Sequence, residues 1–171
     1  GLKTANLFSY TVDPGDDVRQ LVTDRNRTLN PKGITLFILK ETNQNALIYV
    51  CRPGRLQADF QRECVKGFLK NYGYREFTAE KAIDTLKKRL ATSDRFPHEI
   101  GLFLGYPYCD VKGFIDNNGK NCRACGFWKV YENETETLKL FQKFIKCREV
   151  YTRLFHYRQR SIQQLTVAAC E

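Results

Sequence analysis

Two short apolar runs decide how this chain folds: Ile34-Thr35-Leu36-Phe37-Ile38-Leu39 and Ala46-Leu47-Ile48-Tyr49-Val50-Cys51. Both are rich in β-branched and aromatic residues and too short for a stable helix, so they read as strands. The polar residues 41–45 between them are the length of a hairpin connection, which predicts an antiparallel pair. Runs this apolar need cover on both faces, so helices are expected on either side of the sheet.

Helical periodicity supplies that cover. Val18, Leu21, Val22 and Leu29 share a face of a helix over 16–29, with Asp16 and Asp17 in its first turn and Asn30-Pro31-Lys32-Gly33 as its stop. A second helix is expected over 56–72, closed by Gly73. A third, over 79–91, has Thr78 as its N-cap and Lys87, Lys88 and Arg89 as its solvated side. Ile100-Gly101-Leu102-Phe103-Leu104 reads as a third buried strand, 109–117 as a short helix and Gly126–Tyr131 as a fourth strand. A long helix follows over 134–157, and residues 161–167 form a capped terminal turn. The expectation is a single α/β or α+β domain over 1–171, with a mixed sheet of about four or five strands and about five helices.

Composition removes whole classes. With 42% hydrophobic and 27% charged residues over 171 positions, the chain is neither disordered nor a coiled-coil rod. No apolar run approaches the ~18 residues of a membrane span, and no basic-then-apolar leader opens the sequence. The seven cysteines are an odd number, so reduced thiols and a cytoplasmic location are expected, and the sequons at Asn26 and Asn133 carry no meaning there. The chain opens on Gly1 and contains no methionine, where average usage predicts roughly three or four. Either the start has been trimmed, or modified methionines are missing from the recorded sequence, in which case some spacings are off by one.

The formal net charge is +9, spread along the chain without a block of like charge. Such an excess favours anionic partners: a small anionic ligand, nucleic acid or an acidic protein. Arg52 and Arg55 flank Pro53-Gly54 at the exit of the second strand, where two guanidinium groups could clamp a phosphate or carboxylate. Lys3 and Asn6 are polar residues in an otherwise apolar opening segment. Gly105-Tyr106-Pro107 and Asp110 fall where a predicted strand meets a helix, a usual ligand position in α/β sheets. Asp110 also suits a helix cap. Lys129 alternates with Trp128 and Tyr131 on the fourth strand, a pattern that could stack bases, although Trp128 suits the core equally.

For proton chemistry the candidates are His98, Glu99 and Asp110, with a structural role as the alternative for each. Cys122-Arg123-Ala124-Cys125 precedes a strand, which is the wrong context for a thioredoxin-like site. A zinc site would need Cys109 and a further ligand beside Cys122 and Cys125, so no metal is assigned. The glycine spacing matches neither a Walker loop nor a dinucleotide fingerprint, and the cofactor is left unknown.

Four stretches resemble a known bacterial family. They are Gly1–Phe8; Ala46–Pro53 with Arg55-Leu56; Phe96–Pro107 with Asp110–Ile115; and Cys125–Tyr131. Together they are similar to the domain of unknown function 3793, over nearly the whole chain down to Leu165. The resemblance implies a bacterial protein, mainly of anaerobic Gram-positive lineages, with a short segment carrying His-Cys and Pro-Thr-Leu ahead of the position of Gly1. It carries no activity with it, so any enzymatic role is undefined. The leading expectation is therefore a cleft at the strand ends that binds a small anionic ligand through Lys3, Asn6, Arg52, Arg55, Tyr106 and Lys129. The alternatives are a nucleic-acid module using a basic face that includes the final long helix, and an interaction protein for an acidic redox partner such as a flavodoxin.

Overall fold

A computed structural model describes residues 1–93 and 95–168. The chain divides into two compact units, Gly1 with Lys3–Gly105, and Leu2 with Tyr106–Val167.

The first unit is built on three antiparallel strands in the order β1-β3-β2: β1 (Ala5–Thr11), β2 (Thr35–Glu41) and β3 (Asn45–Cys51). The hairpin read from the two apolar runs is present, and Phe37 lies opposite Tyr49. β1 was not expected. Its residues alternate weakly, with only Ala5 buried, because it is an edge strand with one side to solvent.

One face of the sheet is covered by α1 (Val18–Leu29), whose Val18, Val22 and Leu29 pack on Leu36, Ala46 and Ile48. Asp17 caps this helix by accepting from the Gln20 amide at 2.9 Å. Asp16 is not in the first turn; its carboxylate instead accepts from the Tyr10 hydroxyl at 2.8 Å. A 3₁₀ turn over Asn30–Lys32 then runs into Gly33 in the left-handed region.

The other face carries α2 (Pro53–Phe60), α3 (Glu63–Lys70), α4 (Ala79–Thr92) and the single turn α5 (Ile100–Phe103). Tyr49, Phe60, Tyr74 and Phe103 form the centre of this layer. The Phe60 and Phe103 rings meet edge to face at 4.9 Å, and the Tyr49 hydroxyl donates to the Phe103 carbonyl at 2.6 Å. The helix expected over 56–72 is two helices with a break at Gln61-Arg62. Thr78 caps α4 through the Lys81 amide as its sequence predicts.

The run Ile100–Leu104 is a correction, because it is helical rather than a strand. Pro97 acts as a helix initiator, and the amides of Ile100, Gly101 and Leu102 each bond three residues back. All four residues of α5 are buried, so the run has no polar face to reveal its period.

The second unit contains α6 (Tyr108–Asp116), β4 (Ala124–Cys125), β5 (Lys129–Val130), α7 (Glu134–Tyr157) and the capped turn α8 (Ile162–Leu165). β4 and β5 form a separate two-stranded ribbon, so a single sheet of four or five strands is not present: the protein is mixed α/β with sheets of three and two. Of the fourth strand expected over 126–131, only Lys129-Val130 is extended pairing, because Gly126–Trp128 make the turn of the ribbon. Val130, Phe141 and Phe144 form this unit's core, with Phe127 and Trp128 packed on them. Among the described residues no helix is long and apolar enough to cross a membrane.

Gly105 ends α5 at φ +76°, and a Cβ there would lie 2.6 Å from the Thr4 hydroxyl oxygen. The site demands both a left-handed backbone and an absent side chain. Gly105→Ala should therefore lower stability by about 2 kcal/mol or more. Gly54→Ala, where nothing lies within 4 Å, should be close to neutral. Paired urea titrations measure the contrast.

Candidate functional site

β1 begins, β2 begins and β3 ends at one edge of the first sheet, because Ala5 and Thr35 both lie opposite Cys51. Three chain segments meet there: residues 1–4, residues 32–34 and the turn into α2. The Arg52 amide donates to the Thr4 carbonyl at 3.0 Å and continues the β1–β3 pairing by one residue. Its guanidinium is buried and donates to the Lys32 carbonyl at 3.1 Å. Arg55 is exposed and donates to the Gly1 carbonyl. A Cβ on Gly1 would be 3.9 Å from Arg52 Nη2, so both guanidinium groups come to the same short stretch of backbone.

Lys3, two residues after Gly1, donates to Asn6 Oδ1 at 2.6 Å. Burial pushes its ammonium pKa down, which marks a partly dry position for a cation. Thr4 is anchored in turn by its hydroxyl bond to Asp59 at 3.0 Å. The Lys3, Asn6, Arg52 and Arg55 set is thus held in one unit by one sheet end. Pro53 at the first position of α2 turns the chain sharply enough for both arginines to face it.

The other candidates have different surroundings. Glu99 is 1% exposed and accepts from Arg89 Nε at 2.5 Å and from the Tyr74 hydroxyl at 3.2 Å. Arg89 also donates to the Tyr72 carbonyl at 3.1 Å. Burial first, and the Glu99 charge next, raise the Tyr74 pKa. This buried pair joins α4 to the start of α5. His98 is exposed on the same turn, so the two neighbours face opposite environments. Arg89 is also a correction to the solvated side read for α4: it stands three residues after the buried Leu86 and turns inward.

In the second unit Asp110 is 2% exposed and lies in the first turn of α6. Its Oδ2 accepts from Trp128 Nε1 at 2.7 Å. Its Oδ1 accepts from the Tyr131 and Glu132 amides at 2.7 and 3.1 Å. The carboxylate thus pins the exit of β5 to α6. Tyr106 stacks on Trp128 at 4.7 Å and donates to the Phe127 carbonyl at 3.3 Å. Lys129 donates to the Gly119 carbonyl at 2.5 Å. Asp110, read from the sequence as a candidate for proton chemistry, and Tyr106 and Lys129, read as ligand contacts, thus all hold the ribbon through partners distant in sequence.

Cys51 is buried, and burial pushes its thiol up to about 12, whereas Cys64 and Cys125 are exposed. Cys109 and Cys122 are half-buried, and Cys170 lies outside the described residues. Among the described residues no three His, Cys, Asp or Glu side chains are gathered as metal ligands would be.

The fold and the site together define a small mixed α/β protein with a basic strand end and two buried structural carboxylates. The family model described as "Protein of unknown function (DUF3793)" matches residues 1–166, and the chain belongs to that family. No curated protein and no solved structure matches it.

Two outcomes test this assignment of roles. Asp110→Asn places an NH₂ against N–H donors and should cost about 3 kcal/mol, with a shift in Trp128 fluorescence. The raised Cys51 pKa favours its protonated form in the folded state. Its stabilising effect is present below the unfolded value near 9.0 and is lost as pH rises towards about 12. Stability should therefore fall between pH 9 and 10, and Cys51→Ala should flatten that slope in urea titrations made across the range.

Proposed function

We propose that the protein binds a small anionic ligand at the strand end formed by Lys3, Arg52 and Arg55. The observation that supports this reading is the approach of both guanidinium groups, from either side of Pro53-Gly54, to the Gly1 backbone. Arg55 is exposed and carries five donors in a planar fork, of which its bond to Gly1 uses one. A carboxylate or phosphate there would meet a partly dry Lys3 ammonium, where charge attraction is less screened than in water. The first-turn amides of the eight-residue α2 add positive potential at the same end. The reading is binding rather than catalysis, because Glu99 and Asp110 spend their carboxylates on structural bonds.

A second reading, nucleic-acid binding, draws on α7. Lys139, Lys143, Lys146, Val150, Arg153 and Tyr157 recur at alternating intervals of four and three, and all are exposed. The opposite face buries Thr137, Phe141 and Phe144. The four cations form a stripe about 21 Å long at 1.5 Å per residue, matched to a run of phosphates.

One titration series separates the two. Inorganic phosphate, citrate and a single-stranded 20-mer are each titrated into wild type, Lys3→Gln/Arg55→Gln and Lys143→Glu/Lys146→Glu/Arg153→Glu. The strand-end reading expects a small anion to bind wild type and to weaken about tenfold in the first variant alone. Absence of small-anion binding, or binding indifferent to that variant, overturns it. Oligonucleotide binding that falls steeply with salt and is lost in the α7 variant supports the second reading instead.

A further inference from the structure

β2 is an edge strand, and its outer side opens into a groove of about 530 Å³ within the first unit. Arg19, Val22 and Thr23 of α1 line one wall, Lys87 of α4 lines the other, and residues 36–41 of β2 form the floor. A strand edge carries unpaired backbone donors and acceptors, and proteins blunt such edges unless they use them.

The blunting here is partial. The Asn26 side chain donates to the Leu36 carbonyl at 3.0 Å and accepts from the Leu36 amide at 2.8 Å. It therefore occupies the outer backbone positions of Leu36, as a neighbouring strand would. At the other end a bulge between Ile38 and Lys40 breaks the regular register. Alternation along the strand turns the Ile38 N–H and C=O to the same outer side as those of Leu36. Between the plug and the bulge, one residue's donor and acceptor face the groove.

Side chains around this window set the chemistry of a partner. A residue paired with Ile38 in an added antiparallel strand would project towards α1, where Val22 and Ile38 are apolar. Its two neighbours would project towards α4. Lys40 donates to the Leu90 carbonyl of α4 at 3.5 Å, and the Lys87 ammonium lies 5.8 Å from the Phe37 ring centroid, so both cations stand on that side. Arg19 adds a third cation, already shared with Glu41 at 3.1 Å. The groove thus presents an apolar pocket flanked by net positive charge.

We propose that this groove binds an extended acidic segment of a partner protein by strand addition to β2, with an acidic–apolar–acidic core centred opposite Ile38. The central residue exchanges both backbone bonds with Ile38. Its apolar side chain enters the α1 side, and its acidic neighbours face Lys40 and Lys87. The site is separate from the strand end of Lys3, Arg52 and Arg55 and does not rest on the ligand proposed there.

The test uses a fluorescent decapeptide of alternating Glu and Val, with fluorescence anisotropy as the readout. Binding is expected in the range of about 10–100 μM at low salt. Lys40→Glu and Lys87→Glu are surface changes and should each weaken it about tenfold, with circular dichroism unchanged. N-methylation of the central valine, which leaves the protein untouched, should abolish binding because it removes the bond to Ile38. A Lys-Val decapeptide should not bind. The proposal is overturned if the Glu-Val peptide fails to bind, if the N-methylated peptide binds as well as its parent, if the lysine variants are indifferent, or if a single-stranded oligonucleotide displaces the peptide through the same lysines with equal affinity.

Discussion

The burial of β3 from both sides is the constraint on which the first unit depends. Ala46, Ile48, Tyr49 and Cys51 are all at most 2% exposed, so each face of this strand must be sealed by something. α1 seals the Ile48 face, and the aromatic layer of Phe60, Tyr74 and Phe103 seals the Tyr49 face. Burying a side chain of this size is worth about 1.5–3 kcal/mol, but Tyr49 brings a hydroxyl with it. That hydroxyl would be costly if left bare, and its bond to the Phe103 carbonyl both satisfies it and fixes where α5 lies. The same aromatic layer encloses the Arg89–Glu99 pair, so the position of one polar bond propagates through α4, α5 and Gly105 to Thr4 at the strand end.

The two buried carboxylates show how donors distant in sequence can occupy a group that residue type marks for proton chemistry. Glu99 and Asp110 have the features sought in an acid–base group: a carboxyl near predicted element junctions, one of them beside a histidine. Each is nevertheless supplied with donors. Glu99 has the Arg89 guanidinium and the Tyr74 hydroxyl; Asp110 has an indole and two backbone amides. A buried ion pair of this kind adds little net stability, because desolvation offsets attraction, yet removing one partner strands a charge. Their effect is positional: they decide which turn packs against which helix.

Much of this was legible in the sequence because it depends on local chemistry. The β2–β3 hairpin, the Thr78 cap and the capped turn at Ser161 follow from residues within a few positions of each other, whereas Asp17, read as a first-turn carboxylate, is the N-cap of α1. The failures are non-local. α5 was misread because four apolar residues buried all round carry no period, and Pro97 can open a helix as well as interrupt one. β1 was missed because an edge strand buries little. Arg89 lay at the margin of a visible apolar stripe, but its partner Glu99 is ten residues away across a turn. Asn26 looked like a glycosylation sequon, whereas its amide is held at both ends by Leu36.

The net charge of +9 takes on a different meaning once its bearers are placed. As a total it only favours association with anions. In the fold, cations gather by distinct causes: Arg52 and Arg55 because Pro53 turns the chain at a strand end, Lys40 and Lys87 because an edge strand and a helix share a face, and the α7 lysines because an amphipathic helix must put them opposite Phe141 and Phe144. Only the third follows from solvation alone, since a helix with a buried stripe exposes its charges whatever its role. The strand end and the β2 groove each set cations beside positions that are partly dry or hold outward-facing backbone groups. There a partner can gain hydrogen bonds as well as charge attraction, which ties recognition to geometry rather than to charge alone.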